Sequence, residues 1–447
     1  MRSSPLAITP ALSRPSVCID GFNMALPKGS GIATYGRNLV HALNTTGRLT
    51  SILYGPAADQ TSNIAANTAA LADGPPPRSR VNKRSRWRRT LTSRFGRTAE
   101  FIPLSDLVIW SNENGGRPPI NGAWSTRDLY SIAGRAFQKY GSVTPVSFRR
   151  SMHSNSPDVM HWTCPLPLHA PKAINLLTVH DLIPLRLPHT TTDDTSAYLR
   201  LCQTSVDRAD HIVVVSETTR RDLIEILGVN EDRITNTYQA VSLPSDLIDK
   251  SQEDAILDIE ETLGLGWQGY FLYFGAVEPK KNLARLIEAH LTSNVDAPLV
   301  IVGGRGWLDA DENAFLEQLT FNSNVRSDRI RRFPYMPFHL LVSLIRGARG
   351  VVFPSLYEGF GLPVLEAMLL GAPVITSNAG SLPEVAGSAA LSIDPYDISA
   401  IRDAIRQVDG DTSLRNELSQ KGRLQAQRFS PENYSSAISK VYARLGV

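Results

Sequence analysis

Two glutamates, Glu358 and Glu366, bracket the run Gly359-Phe360-Gly361-Leu362-Pro363-Val364-Leu365. The run follows an apolar stretch, Gly350-Val351-Val352-Phe353-Pro354, that reads as a buried strand. Gly359 and Gly361 permit a tight turn and close backbone approach. Pro363 suits a first helical turn, where a missing N–H costs nothing. The free N–H groups near 361–364 then point out of a helix start and form a ready anion site. A carboxylate beside a phosphate would repel it, so each glutamate is suited instead to accept hydrogen bonds from hydroxyls. Phosphate on backbone and hydroxyls on carboxylates together describe a nucleotide sugar. The plainer alternative is a solvated glutamate pair around an ordinary strand-to-helix turn.

A second constellation, Gly275-Ala276-Val277-Glu278-Pro279-Lys280-Lys281-Asn282, follows the strand pattern 270–274. The chain has only nine lysines, and two stand here, ahead of a helix pattern. Such cations can hold a diphosphate and stabilise it as it leaves; a surface lysine pair is the alternative. Glu278 reads as structural or solvated. In the first half, Gly29-Ser30-Gly31 lets backbone approach a ligand, and His180 ends a strand pattern where it can donate to a sugar hydroxyl. His161 has the same logic with weaker support, and either histidine can instead be a satisfied core group. Competing motifs are missing: there is no Gly-Lys dipeptide for a Walker loop, no G-x-G-x-x-G after a strand and no G-x-S-x-G elbow. No Asp-x-Asp stands at a strand end of the first half, so a metal-held diphosphate is not expected.

The elements that must position these residues alternate. Strand patterns at 17–20, 52–54, 158–161, 176–181 and 211–215 precede strands at 270–275, 299–304, 330–333, 350–354 and 373–376. Helix patterns are expected at 32–43, 193–208, 217–227, 283–291, 311–320, 338–346, 363–370 and 431–444, with Ser216 as an N-cap and Gly228 as a stop. Near-continuous apolar strands alternating with helices imply α/β architecture, with parallel sheets covered on both faces. The expected organisation is a Rossmann-like domain over 16–242 with an insertion around 57–157, a linker over 243–268, a second Rossmann-like domain over 269–430, and a helix over 431–447 packing back on the first. Ligands of such sheets lie beyond the carboxyl ends of the strands.

The chain has 447 residues, 42% of them hydrophobic, which is ordinary for a folded protein of two or three domains. No apolar run is long enough to cross a bilayer, and the N-terminal stretch with prolines at 5, 10 and 15 reads as a loose lead-in rather than a signal peptide. Cys18, Cys164 and Cys202 are few and scattered, which fits a reducing cytoplasm and no disulfide framework. The net charge is +3, yet nine basic residues and no acid lie between Arg78 and Arg97, so the rest of the chain sums to −6. A general nucleic-acid binder would spread positive charge over a face. This stretch places Trp87, Leu91 and Phe95 at i, i+4 and i+8, the pattern of an amphipathic helix on anionic lipid, with a solvated insertion as the alternative.

The segments Glu358–Glu366, Gly275–Asn282, Gly29–Ile32, Val179–Pro184 and Val213–Leu223 together resemble glycosyltransferase family 4, and Leu299–Gly304 and Gly371–Pro383 also fit. The resemblance spans about 16–56 and 158–447. It implies a GT-B fold, two Rossmann-like domains facing across a cleft, and a retaining transfer from a nucleotide sugar without an added cofactor or metal. It implies that Glu358 binds hydroxyls of the transferred sugar and that the backbone of Gly359, Phe360, Gly361 and Leu362 touches sugar and phosphate. Glu366 would hold the ribose diol, Lys281 with Lys280 the diphosphate, Gly31 the phosphates from the first domain, and His180 the donor sugar. The base would lie near Tyr335 and Met336. Many members carry arginine just after the strand glycine; here that position is Ala276, so Lys280 is the residue available for the second charge. The wording of 278–282 and 179–184 resembles bacterial mannosyltransferases of polysaccharide assembly. GDP-mannose is therefore the expected donor, a saccharide or lipid-linked saccharide the acceptor, and an anionic membrane surface a partner through 78–97. UDP-glucose is the alternative donor; a non-catalytic nucleotide-sugar-binding protein and a sugar-nucleotide epimerase are the alternatives of another class.

Overall fold

The structure is a computed structural model that describes residues 15–24, 31–55, 83–105, 119–150, 155–192, 194–304 and 329–447, with side chains in the basic helix described from Trp87 onward. The expected helix over 311–320, the loop residues Gly29 and Ser30, and the start of the basic stretch lie outside these residues.

The first compact unit comprises the chain to Leu177, together with Asp207–Asp210 and Ser435–Val447. Its strands are β1 (Ser16–Asp20), β2 (Leu49–Tyr54), β3 (Arg97–Pro103), β4 (Gly122–Ser125), β5 (Thr144–Phe148), β6 (Val159–Trp162), β7 (Leu168–His169) and the start of β8 (Ile174–Val179). They run in the order β8-β6-β1-β2-β4-β3-β5-β7. The first five are parallel, with Cys18 opposite Ser51 on one side and Met160 on the other. β3 runs antiparallel to β4, the one departure from the expected parallel sheet among the described strands. Of its residues, Arg97-Thr-Ala-Glu-Phe-Ile-Pro103, only Ala99 and Ile102 are buried. The helix Gly31–Thr45 covers the sheet with Tyr35, Leu39, Val40 and Leu43.

The last residues of the chain also belong to this unit. His161 Nδ1 lies 2.8 Å from Tyr442 Oη, with both side chains fully buried. The Arg48 guanidinium stacks 5.0 Å over the Tyr442 ring and donates to the Val447 carbonyl at 3.0 Å. His161 is therefore a satisfied core histidine.

The second unit comprises Thr178–Val206 and His211–Tyr434. It contains the end of β8, β9 (His211–Val214) and β10 (Ile234–Asn236), then a six-stranded parallel sheet. That sheet joins β11 (Phe271–Phe274), β12 (Leu299–Val302), β13 (Ile330–Phe333), β14 (Gly350–Phe353), β15 (Val374–Ser377) and β16 (Leu391–Ile393) in the order β13-β12-β11-β14-β15-β16. Every residue of β11, β12, β14 and β15 is buried, which explains their unbroken apolar runs.

Residues 243–268, expected as a linker, contain the helix Gln252–Leu263, started by the Ser251 side chain on the Asp254 N–H and stopped at Gly264. The compact units are cut differently from the expected domains 16–242 and 269–430. Thr178–Val206 and His211–Val241 group with the later sheet, and their hydrogen bonds show why. Tyr357 Oη donates to Asp222 at 2.7 Å, the Glu384 carboxylate accepts from the N–H groups of Glu217 and Thr218 at 2.9 and 3.0 Å, and Val241 N–H reaches the Phe429 carbonyl at 2.9 Å.

Candidate active site

The central pair is Lys281 and Glu358, whose Nζ and Oε1 are 2.5 Å apart with both side chains largely buried. They come from the loops that leave two neighbouring strands of the parallel sheet, β11 and β14.

After β11 the chain turns at Gly275, which has φ +132°, a value that favours glycine. Its carbonyl lies only 1.8 Å from where a Cβ on Gly303 would stand, so the end of β12 has no room for a side chain. A short turn, Pro279–Lys281, then carries both lysines to Asn282, which takes the left-handed conformation at the start of the helix Leu283–Thr292. The Asn282 amide is buried and donates to the carbonyls of Pro354 and Pro395 at 3.0 and 2.7 Å. Leu356 N–H donates to the Lys280 carbonyl at 2.7 Å. These bonds fasten the lysine turn to the loop after β14, so that the two loops form one piece.

The Glu358 loop is held by backbone on both sides. A Cβ on Gly359 would fall 2.2 Å from the His180 carbonyl and 2.7 Å from Asp181 Cβ. A Cβ on Gly380 would fall 2.8 Å from both the N and the O of Glu358. Thr219 Oγ1 donates to the His180 carbonyl at 2.9 Å, and buried Ser381 Oγ reaches the carbonyls of Glu358 and Phe360 at 3.0 and 2.8 Å. Gly361, at φ +102°, begins the helix Leu362–Leu369 without a capping side chain, with Pro363 in the first turn. The helix starts where the sequence places it, but of the N–H groups expected near 361–364 Pro363 has none and that of Val364 donates to the Gly361 carbonyl at 3.0 Å.

The electrostatics fit these positions. Burial alone would favour a neutral Glu358, but Lys281 and Lys280 outweigh it and hold its carboxyl below the ordinary range. Burial likewise disfavours charge on Lys280, yet the carboxylates of Glu358, Asp181 and Glu278 raise its pKa overall; Glu278 is 3.6 Å away. The site thus places two lysine side chains among the carboxylates of Glu358, Glu278 and Asp181. Glu366 is different: desolvation by burial pushes its carboxyl up to about 7.

The structure therefore brings Lys280, Lys281, Glu358, Gly359, Phe360, Gly361 and Leu362 into one cluster with the backbone of His180. Glu366 lies one turn into the helix that this cluster begins. Tyr335 is 80% exposed and Met336 buried, both just beyond β13. Gly31 opens a helix of the first unit, and nothing lies within 4 Å of a Cβ placed on it. Sequence reasoning did not single out the second layer of Ser381, Gly380, Tyr357, Asp222, Arg186 and Glu384. Arg186 Nε binds the same Asp222 carboxylate that accepts from Tyr357, at 2.8 Å. Polar residues buried inside an otherwise amphipathic helix, Thr219 and Asp222, were the available signal.

Carboxylate and lysines at the carboxyl ends of parallel strands, in a protein of two α/β units, are the marks of a glycosyltransferase of the GT-B fold. Comparison with known proteins agrees. Residues 261–425 match the family model for glycosyl transferases group 1, and residues 106–243 match that for glycosyltransferase family 4. An O-antigen chain mannosyltransferase B of Escherichia coli is 38% identical over 63% of this chain and 72% of its own. The O-antigen chain mannosyltransferase RfbU of Salmonella typhimurium is 30% identical over 52% of this chain and 60% of its own. Among solved structures, HepE of Anabaena, crystallised with UDP and glucose, superposes with a TM-score of 0.65 at 14% identity, covering 96% of this chain and all of that one. The chain belongs to glycosyltransferase family 4.

Proposed function

We propose that the protein transfers mannose from GDP-mannose, with retention at the anomeric carbon, to a saccharide or lipid-linked saccharide in the assembly of a cell-surface polysaccharide. The observation that carries this reading is the buried Lys281–Glu358 pair at 2.5 Å, next to a second lysine and an uncapped helix start. The choice of mannose rests on the two relatives named as O-antigen mannosyltransferases.

In this reading the diphosphate displaces Glu358 from Lys281 and takes both lysines and the N–H groups at Gly361 and Leu362. Glu358, released from its cation, accepts hydrogen bonds from the sugar hydroxyls. Glu366 accepts from the ribose diol, His180 contacts the sugar, and Tyr335 and Met336 flank the base. The bond from the anomeric carbon to the diphosphate oxygen breaks as the acceptor oxygen bonds to that carbon on the same face. The acceptor proton passes to the departing phosphate. The lysines and the helix start stabilise the charge that grows on the leaving group.

A donor panel tests the proposal. GDP-mannose should be consumed with an α-linked product from the α-donor, read by NMR. Turnover of UDP-glucose but not GDP-mannose would overturn the donor; a β-linked product would overturn retention. The basic stretch 78–97 further suggests a peripheral role at an anionic membrane surface. Among the described residues no helix is long and apolar enough to cross a membrane.

A further inference from the structure

The helix Glu217–Leu227 buries polar residues where an amphipathic helix ordinarily buries apolar ones. Its buried positions are Thr218, Thr219, Asp222 and Leu223. A buried polar group is destabilising unless it is hydrogen-bonded. Here each of the three is bonded to a segment that builds the site of Lys281 and Glu358. Thr218 Oγ1 donates to the Gly380 carbonyl at 3.1 Å, and Thr219 Oγ1 donates to the His180 carbonyl at 2.9 Å. Asp222 accepts from Tyr357 Oη at 2.7 Å and from Arg186 Nε at 2.8 Å.

Asp222 is engaged on both of its oxygens. Oδ2 takes the Tyr357 phenol and Oδ1 takes the Arg186 guanidinium. Burial and the Asp222 carboxylate both push the Tyr357 phenol up, so it keeps its proton and donates. Arg186 also reaches Glu225, one turn further along the same helix. It ends the short helix Ile183–Arg186, which follows His180 and Asp181. Tyr357 immediately precedes Glu358. One carboxylate therefore ties together the segment that carries His180 and the segment that carries Glu358. Ser381 holds the Glu358 carbonyl from one side at 3.0 Å, and the bond from Tyr357 to Asp222 fixes the preceding residue. A hydrogen bond to a charged acceptor is stronger than a neutral one and fixes direction, which apolar packing does not.

We infer that Asp222 and Tyr357 are positioning residues for Glu358. The Tyr357–Asp222 hydrogen bond, with Arg186 holding the carboxylate from its other side, sets where the Glu358 carboxylate stands beside Lys281. Both residues act on sugar transfer through Glu358. This role rests on the proposed contact of Glu358 with the transferred sugar and adds to it two residues that lie behind the site.

The test is a double-mutant cycle on the full chain, with the donor that the wild type turns over. It compares wild type, Y357F, E358Q and Y357F/E358Q, with D222N and D222N/E358Q as a second cycle. Y357F should lower kcat/KM about tenfold, because a small misplacement at the reacting centre is enough. The Kd for the nucleoside diphosphate of that donor should stay within about twofold of wild type. D222N should behave alike, because an amide offers one acceptor oxygen to two donors. In the E358Q background neither substitution should lower kcat/KM further, because the group they place is already gone. Thermal melts show that each variant is folded; if D222N is not, the Y357F cycle decides. Three results would overturn the positioning role and leave the proposed function standing: a Y357F loss under twofold, a Y357F loss repeated in full in Y357F/E358Q, or equal weakening of donor and nucleoside diphosphate by Y357F. A loss under threefold in E358Q itself would overturn the contact of Glu358 with the sugar, and this role with it.

Discussion

Positive charge is used in two opposite ways in this protein. At Lys280 and Lys281 two ammonium groups are buried, each near a carboxylate, and fixed by backbone bonds to a neighbouring loop. Between Arg78 and Arg97 nine basic residues occur without one acid, and the aromatic residues among them face water. The first arrangement spends folding energy on exact placement, because a buried charge is tolerated only when it is paired. The second holds no acid of its own to offset its charge, and its field is screened by salt in the solution. The difference teaches that charge density alone does not mark the chemistry. The segment richest in cations holds no acid, and the buried lysines stand in a segment of ordinary composition.

The largest effect expected from breaking this contrast lies at Glu358. E358Q should lower kcat/KM for the donor by about 10²–10³-fold, measured at saturating acceptor; a loss under threefold would show that this carboxylate does not meet the sugar. Next comes Gly359. G359A must push the His180 carbonyl out of a 2.2 Å contact, so overpacking should cost about 1–3 kcal/mol in a denaturant melt and reduce activity with it. Salt sharpens the comparison directly. Vesicle binding through 78–97 should fall about tenfold between low and physiological salt, while the KM for the donor at the buried lysines changes by less than about twofold.

The smallest effect concerns Glu366. Its carboxyl holds its proton up to about 7 in the folded protein, against 4.5 for the free side chain. Folding therefore takes up a proton between those values, and stability falls as pH rises across that window. A carboxylate accepts from a diol on both oxygens and more strongly than the neutral acid, so in the proposed role donor affinity should rise several-fold from pH 6 to pH 8. E366Q should flatten both profiles; a pH dependence that survives in E366Q would assign it to another group.

Much of this was legible in the residues. The strands of the second unit were readable because they are buried on both faces and so carry unbroken apolar runs. The glycines of the 358–366 loop announced a turn that no side chain could occupy. Lys281 and Glu358 were each suspected, but no spacing rule shows that residues so far apart in the chain form an ion pair; the adjacency of β11 and β14 does that. Ser381 and Asp222 were not read as part of the site, because a buried hydroxyl or carboxylate that buttresses a loop leaves no periodic trace. The insertion around 57–157 was opaque for another reason. Its described strands carry no unbroken buried run apart from the four residues of β4, the buried positions described in its basic segment are the hydroxyl residues Thr90 and Ser93, and β3 reverses direction.

The central claim is that the lysines hold diphosphate and Glu358 holds sugar. Calorimetric titration of GDP and of GDP-mannose into wild type, K281A and E358Q tests it most directly. The account predicts that K281A weakens both ligands alike. E358Q should weaken GDP-mannose while GDP binds as well as to wild type, or better, because Lys281 no longer has to leave a carboxylate. Equal weakening of GDP and GDP-mannose by E358Q, or undiminished GDP binding by K281A, would contradict it.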